Sequence, residues 1–210
     1  PCYDRRGDHQ GYQGYPYRHW VRYTYNYGQD VRAALVGAQD AGEPFMAGPN
    51  RLGYDYYSFY LQLRHRGWLR SLVVGRYRLR LGMGLIMNTN YGFGKLAELS
   101  TMGRMDPVIT GHSSRSEANY LQGAAATMAL TRRVAVTLFG SYRRVDATLN
   151  ADSATVATLL RTGYHRTQSE IDRRHNTAQA LGGASVAYSH GGLRIGLSGV
   201  YSHYNRPLRP

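Results

Sequence analysis

The stretch Leu69-Arg70-Ser71-Leu72-Val73-Val74-Gly75-Arg76-Tyr77-Arg78-Leu79-Arg80-Leu81 decides the fold class. One alternate set holds Leu69, Ser71, Val73, Gly75, Tyr77, Leu79 and Leu81, and the other holds Arg70, Leu72, Val74, Arg76, Arg78 and Arg80. Successive side chains of an extended strand point to opposite sides, so a period of two separates these sets onto two faces. On one face Arg76, Arg78 and Arg80 then stand about 6 to 7 Å apart. Three guanidinium groups on one side of a strand are costly against lipid or a dry core. The spacing predicts that they line the lumen of a barrel, held by acidic groups, a plug or a passing anion, with structural pairing as the expected role.

The same period recurs on both sides of this stretch. Residues 57–64 alternate Tyr57, Phe59, Leu61 and Leu63 with Ser58, Tyr60, Gln62 and Arg64, and turn back at Arg66-Gly67-Trp68. Residues 17–27 and 31–36 flank Gly28-Gln29-Asp30, residues 120–130 and 134–145 flank Thr131-Arg132-Arg133, and residues 178–189 and 193–204 flank His190-Gly191-Gly192. Each pair reads as a hairpin with a short turn. The connections 82–119 and 150–177 are too long for hairpins and read as long loops. About eight strands thus form a single segment over residues 1–210, with short turns at one rim and long loops at the other. Aromatic residues near strand ends, among them Tyr17, Trp20, Trp68, Tyr142 and Tyr201, suit the interfacial girdles of a membrane barrel. The fold class expected is all-β, an antiparallel up-and-down transmembrane β-barrel or an open section of one. A soluble sandwich or lipocalin-like barrel also alternates its faces and is the competing architecture.

Composition agrees with strands and turns. Of 210 residues 25 are glycine and 19 tyrosine, and the apolar share is 42%, which makes a large dry core unexpected. No stretch approaches the roughly 18 apolar residues of a spanning helix, whereas barrel strands need only about 9 to 11 residues with every second one facing lipid. Residues 1–9 show no signal-peptide hydrophobic segment. The formal charge is +13 and almost wholly arginine, with Lys95 the single lysine. Such a field attracts lipopolysaccharide phosphates, nucleic acid or other polyanions, although its dispersal among apolar residues points to a polar lumen and solvated loops. Cys2 is the single cysteine, which excludes an internal disulfide and any multi-cysteine metal site.

Chemical motifs are weak. Gly92-Phe93-Gly94-Lys95 lacks the glycine spacing and the following Ser/Thr of a phosphate loop. Gly111-His112-Ser113-Ser114-Arg115-Ser116 lacks the second glycine of a nucleophile elbow. The eight histidines show no pairing that puts two imidazoles on one helical face. Carboxylates are sparse, and Glu170, Asp172, Arg173 and Arg174 read as loop ion pairs. Arg161, His165, Arg166, Arg173 and Arg174 make a basic loop that offers contacts to an anion, beside the alternative of solvated loop charge. No catalytic residue, metal ligand or cofactor is expected.

Several stretches together resemble a known family. They are Asp40-Ala41-Gly42-Glu43-Pro44-Phe45, Gly53-Tyr54-Asp55-Tyr56-Tyr57-Ser58, Gly75-Arg76-Tyr77-Arg78-Leu79-Arg80-Leu81-Gly82-Met83-Gly84-Leu85, Gly123-Ala124-Ala125-Ala126, Tyr142-Arg143-Arg144-Val145-Asp146-Ala147, Gly163-Tyr164-His165-Arg166-Thr167 with Glu170, and Arg206-Pro207-Leu208. In that order they resemble the large outer-membrane barrel proteins of Bacteroidota that carry competence-type helix-hairpin-helix modules ahead of the barrel. The resemblance implies an outer-membrane location in a Gram-negative envelope and a barrel fragment without its helix-hairpin-helix module. It implies contact with outer-membrane lipid and lipopolysaccharide, with envelope protein partners, and with DNA only through the missing module. Transport, binding or assembly without catalysis is the expected role. A soluble all-β module that binds nucleic acid or another polyanion, and a barrel-housed lipid hydrolase using Ser113 or His112, are the alternatives.

Overall fold

The computed structural model describes residues 11–89, 107–115, 117 and 119–209. Residues 1–9, with Cys2, and the stretch Gly92-Phe93-Gly94-Lys95 lie outside the described residues. The chain is all-β, and eight long strands form its framework: β1 (His19–Tyr27), β2 (Val31–Gln39), β3 (Tyr56–Arg66), β4 (Leu69–Leu81), β7 (Leu121–Ala129), β8 (Val134–Val145), β11 (Thr177–His190) and β12 (Leu193–Tyr204). They pair antiparallel in chain order, β1-β2-β3-β4-β7-β8-β11-β12. β1 and β12 end the order without pairing to each other, so the described sheet is open and no closed barrel is formed.

All four short hairpins lie where alternation places them. β3 and β4 turn through Gly67-Trp68, and β11 and β12 through Gly191-Gly192, with Arg66 opposite Leu69 and His190 opposite Leu193. Gly67 and Gly191 both sit at positive φ, which a two-residue hairpin loop requires and glycine adopts without steric cost. Because neighbours are antiparallel, these turns share one rim, and the connections 40–55, 82–120 and 146–176 share the other.

The long connections carry structure of their own, where the sequence read only loops. β5 (Met87–Asn88) and β6 (Val108–Gly111) pair with the far half of β4, while β9 (Ala147–Leu149) and β10 (Val156–Leu159) form a separate two-stranded sheet. A single helical turn, α1 (Gln168–Ile171), follows. The reason for β5 and β6 is backbone satisfaction. β3 pairs with β4 only from Tyr60 opposite Gly75 back to Arg66 opposite Leu69, which leaves the end of β4 without that neighbour, and unpaired peptide groups are costly when buried. β6 supplies the partner from Tyr77 to Arg80.

Register sorts the two faces of the sheet. One row runs Tyr25, Ala33, Leu61, Val74, Ala124, Gly140, Gly182, Tyr201 across all eight strands, and the next runs Tyr27, Val31, Leu63, Leu72, Ala126, Leu138, Ala184, Gly199. Neither row contains a charged residue. On the opposite face Thr127 meets Thr137 at 2.9 Å, Ser185 meets Ser198 at 2.8 Å, and Gln62 donates to the Ile109 carbonyl at 3.2 Å. That inner face also holds a small core of Val73, Tyr77, Leu79, Leu81, Ile109, Leu121, Ala125 and Phe139.

Gly75 marks the point where β4 changes character. Its φ is 102°, and a Cβ there would lie 2.4 Å from the Phe59 carbonyl oxygen, so only glycine fits. Beyond it both sides of the strand are covered. Tyr77, Leu79 and Leu81 enter the core, while Arg76, Arg78 and Arg80 face Tyr56, Tyr120 and the buried His112 or pack beside Gly84.

Candidate functional site

Two of the three long connections, 40–55 and 146–176, meet in a buried charge network at their shared rim. Asp55, at the entry to β3, and Asp146, just after β8, flank the imidazole of His165. Nδ1 of His165 lies 2.5 Å from Asp55 Oδ2, and Nε2 lies 2.9 Å from Asp146 Oδ2. Glu43 Oε1 accepts from the His165 backbone N–H at 3.0 Å. Arg174 completes the group, with Nη1 3.1 Å from Asp55 Oδ1. Glu43, Asp55 and His165 are all buried.

Local sequence positions each member. His165 precedes the sequence Thr167-Gln168-Ser169-Glu170, in which Thr167 caps α1 and Glu170 reaches back to the Arg166 and Thr167 backbone N–H groups at 2.9 and 3.1 Å. This reciprocal capping box fixes the chain on the C-terminal side of His165. Asn50 donates to both the Pro44 carbonyl and Asp55 Oδ1, at 2.9 and 2.8 Å, and so ties the two ends of the 40–55 connection together. Asp146 is oriented by the His175 N–H, which donates to Oδ1 at 2.8 Å.

Electrostatics follow from the pairing. Burial favours the neutral imidazole of His165, but its hydrogen bonds to both carboxylates and their charges outweigh it and push the group up to about 10. Burial likewise raises Asp55 and Asp146, yet the hydrogen bond and charge of His165 hold both below the ordinary carboxylate range, with Arg174 adding to the effect at Asp55. Glu43 goes the other way: burial first, then the charge of Asp55, push it up to about 7. With His165 and Arg174 cationic and Asp55 and Asp146 anionic, four charges cancel, and Glu43 adds a fifth only as it ionises about pH 7. An uncompensated charge at this depth would cost several kcal/mol.

Glu43, Asp55 and His165 also bring one potential metal-ligand atom each within 4.8 Å of one another. A tetrahedral zinc about 2.1 Å from each ligand would hold ligand atoms about 3.4 Å apart. The 2.5 Å contact of His165 with Asp55 is too short for a bridging ion and fits a shared proton. The geometry therefore makes His165 a structural cation that clamps two connections.

The structure divides the residues expected to contact anions. His165 is buried in the network, Arg174 pairs with Asp55, and Arg166 pairs with Glu170 at 2.9 Å and stacks 4.1 Å from the Tyr164 ring centroid. Arg161 and Arg173 are exposed and form no ion pair among the described residues. Two arginines of the row have described partners that are not acidic. Arg76 lies 4.5 Å from the centroids of both Tyr56 and Tyr120, a cation–π sandwich, and Arg78 donates from Nε to His112 Nδ1 at 3.0 Å. Arg80 is buried.

Glu43, Asp55 and Asp146 were not singled out by sequence reading, although each lies in a stretch quoted for the family resemblance. One signal was available. The whole chain has only 13 acidic residues, and three of them meet here. Comparison with protein-family models, with curated proteins and with solved structures finds no match for this chain, so the reading of the site rests on its own geometry.

Proposed function

We propose that this chain is a section of an outer-membrane β-barrel that serves envelope transport, binding or assembly without catalysing a reaction. The observation that carries this reading is an uncharged band of two outer-face rows, continuous in register across eight strands. Leu197 is 78% exposed, Tyr201 72% and Phe59 59%, within a surface where neighbouring residues are also apolar. Water-soluble monomers rarely expose a contiguous apolar patch beyond a few hundred Å². Strand length supports the same reading. The eight framework strands run 9 to 14 residues, against about 9 to 11 needed to cross a bilayer and a mean of about 5 to 6 in globular proteins.

On this reading the outer face meets outer-membrane lipid and the long-loop rim faces lipopolysaccharide, with the charge network holding the loops over the barrel mouth. The helix-hairpin-helix family of Bacteroidota barrels is the proposed relationship, and any DNA contact belongs to a module outside these residues. The experiment is fractionation of the expressed protein. Recovery with outer membranes and heat-modifiable gel migration are expected, and a stable detergent-free monomer overturns the reading. In lipid, Leu197→Arg is expected to lose about 2 to 4 kcal/mol of stability, the cost of an arginine on a lipid-facing midplane position. The neighbouring Ser198→Arg, on the inner face, should lose far less.

A further inference from the structure

Beside the charge network a cavity of about 240 Å³ opens between β8, β11 and the long connections. We infer that this cavity is a binding site for a small organic carboxylate: Arg143 and Arg161 hold the charged end, and Leu121, Leu160 and Leu181 receive the apolar body. This deepens the proposed binding role by naming a ligand class, but the cavity is built by the rim and does not depend on the sheet meeting lipid.

Neither Arg143 nor Arg161 forms an ion pair among the described residues. Arg161 and Arg76 both repel the charge on Arg143, so an anion entering here relieves an existing repulsion. Arg143 is also pre-oriented. Its Nε donates to Gln179 Oε1 and its Nη1 to the Tyr120 carbonyl, each at 3.0 Å, which fixes the plane of the guanidinium before a ligand arrives. A guanidinium held in one plane matches the two oxygens of a carboxylate.

The acidic lining residues do not cancel this field. Asp146 is already matched by His165. Glu117 lies against Gly163, where an added Cβ would come 2.7 Å from the Glu117 Cβ and 3.0 Å from its Oε2. Burial, then the charge of Asp55, push Glu117 well above the ordinary carboxylate range.

Volume and lining set the class. A water occupies about 30 Å³, so the space suits a ligand of roughly ten non-hydrogen atoms and not a polymer. The leucine wall favours an organic body over inorganic phosphate, which would leave that surface without a partner.

The test is calorimetric titration of the full chain, in detergent where solubility requires it, with benzoate, propionate and inorganic phosphate. Saturable 1:1 benzoate binding is expected, weaker propionate binding, and none by phosphate. Arg161→Ala should weaken benzoate at least about tenfold, the size expected for one lost charge-assisted contact. Arg173→Ala, on the same connection but outside the cavity, should leave it unchanged. If Arg161→Ala loses its strand circular dichroism, Arg161→Gln carries the same expectation. Absence of saturable benzoate binding, phosphate binding as tight as benzoate, or equal losses from Arg161→Ala and Arg173→Ala overturns the proposal. A detergent-free soluble protein that binds benzoate would overturn the membrane reading and leave this one standing.

Discussion

β4 and β12 have the same kind of sequence and opposite environments. Both alternate leucine, glycine and tyrosine with arginine or serine, and they run 13 and 12 residues. β4 lies mid-sheet, and past Gly75 it is covered on both sides. β12 lies at the end of the sheet, and all but Ser198 and Tyr204 of its residues are exposed. The alternation of a strand reports two faces, but it does not report how many neighbours those faces have. A residue's energetic weight in this molecule comes from its place in the strand order.

The largest effect that tests this contrast is a cavity in the inner core. Phe139 is buried on β8, and its ring closes over Gly183, where a Cβ would lie 2.7 Å from the Phe139 Cζ. Phe139→Ala is expected to cost about 3 to 5 kcal/mol in urea unfolding. Leu197→Ala on β12 is expected to cost about 1 kcal/mol at most. Similar losses from both would show that β12 is covered as fully as the centre.

A backbone pair gives a smaller effect with a change of sign. Gly75→Ala forces a positive φ and a clash with the Phe59 carbonyl, with an expected loss of about 1 to 3 kcal/mol. At Gly199 a Cβ meets nothing within 4 Å, and Gly199→Ala should be neutral or stabilising by about 0.5 kcal/mol. A tolerated Gly75→Ala would mean that β4 does not bend as described.

The rim network supplies the most graded effect. His165 is raised from 6.5 to about 10, so its contribution is fully present below about pH 6.5 and is lost as pH rises through about 10. Glu43 is raised from 4.5 to about 7, so the folded state holds this proton more tightly and stability declines as pH rises from about 4.5 to about 7. Asp55 and Asp146 are lowered, and their contributions are lost only as pH falls below the ordinary aspartate range. Thermal unfolding across pH should therefore decline toward alkaline pH in two limbs. Glu43→Gln should flatten the limb between about pH 4.5 and 7 and leave the higher one. An unchanged lower limb would show that Glu43 is not the group titrating there.

The hairpins were readable because their causes are local. Val31, Ala33 and Leu35 share a face of β2 whatever surrounds it, and Gly67 and Gly191 permit tight turns by their own conformational freedom. The arginine row was placed on one face of β4 for the same reason. Its partners were not readable. Tyr120 and His112 come from the connection after β4, and no periodicity says that they return to cover it. The network was less accessible still, since His165 lies 110 residues from Asp55 and 122 from Glu43 in the chain.

Period-two alternation, glycine-bearing turns and scarce carboxylates thus belong to the sequence by itself, because each depends on neighbours a few residues apart. The tertiary structure decided that β4 is central and β12 terminal, that β6 fills the wedge beside β4, and that Glu43, Asp55, Asp146 and His165 meet. Those outcomes depend on strand register and on which long connections fold over the rim. Burial then turns these four dispersed titratable residues, together with Arg174, into one cluster.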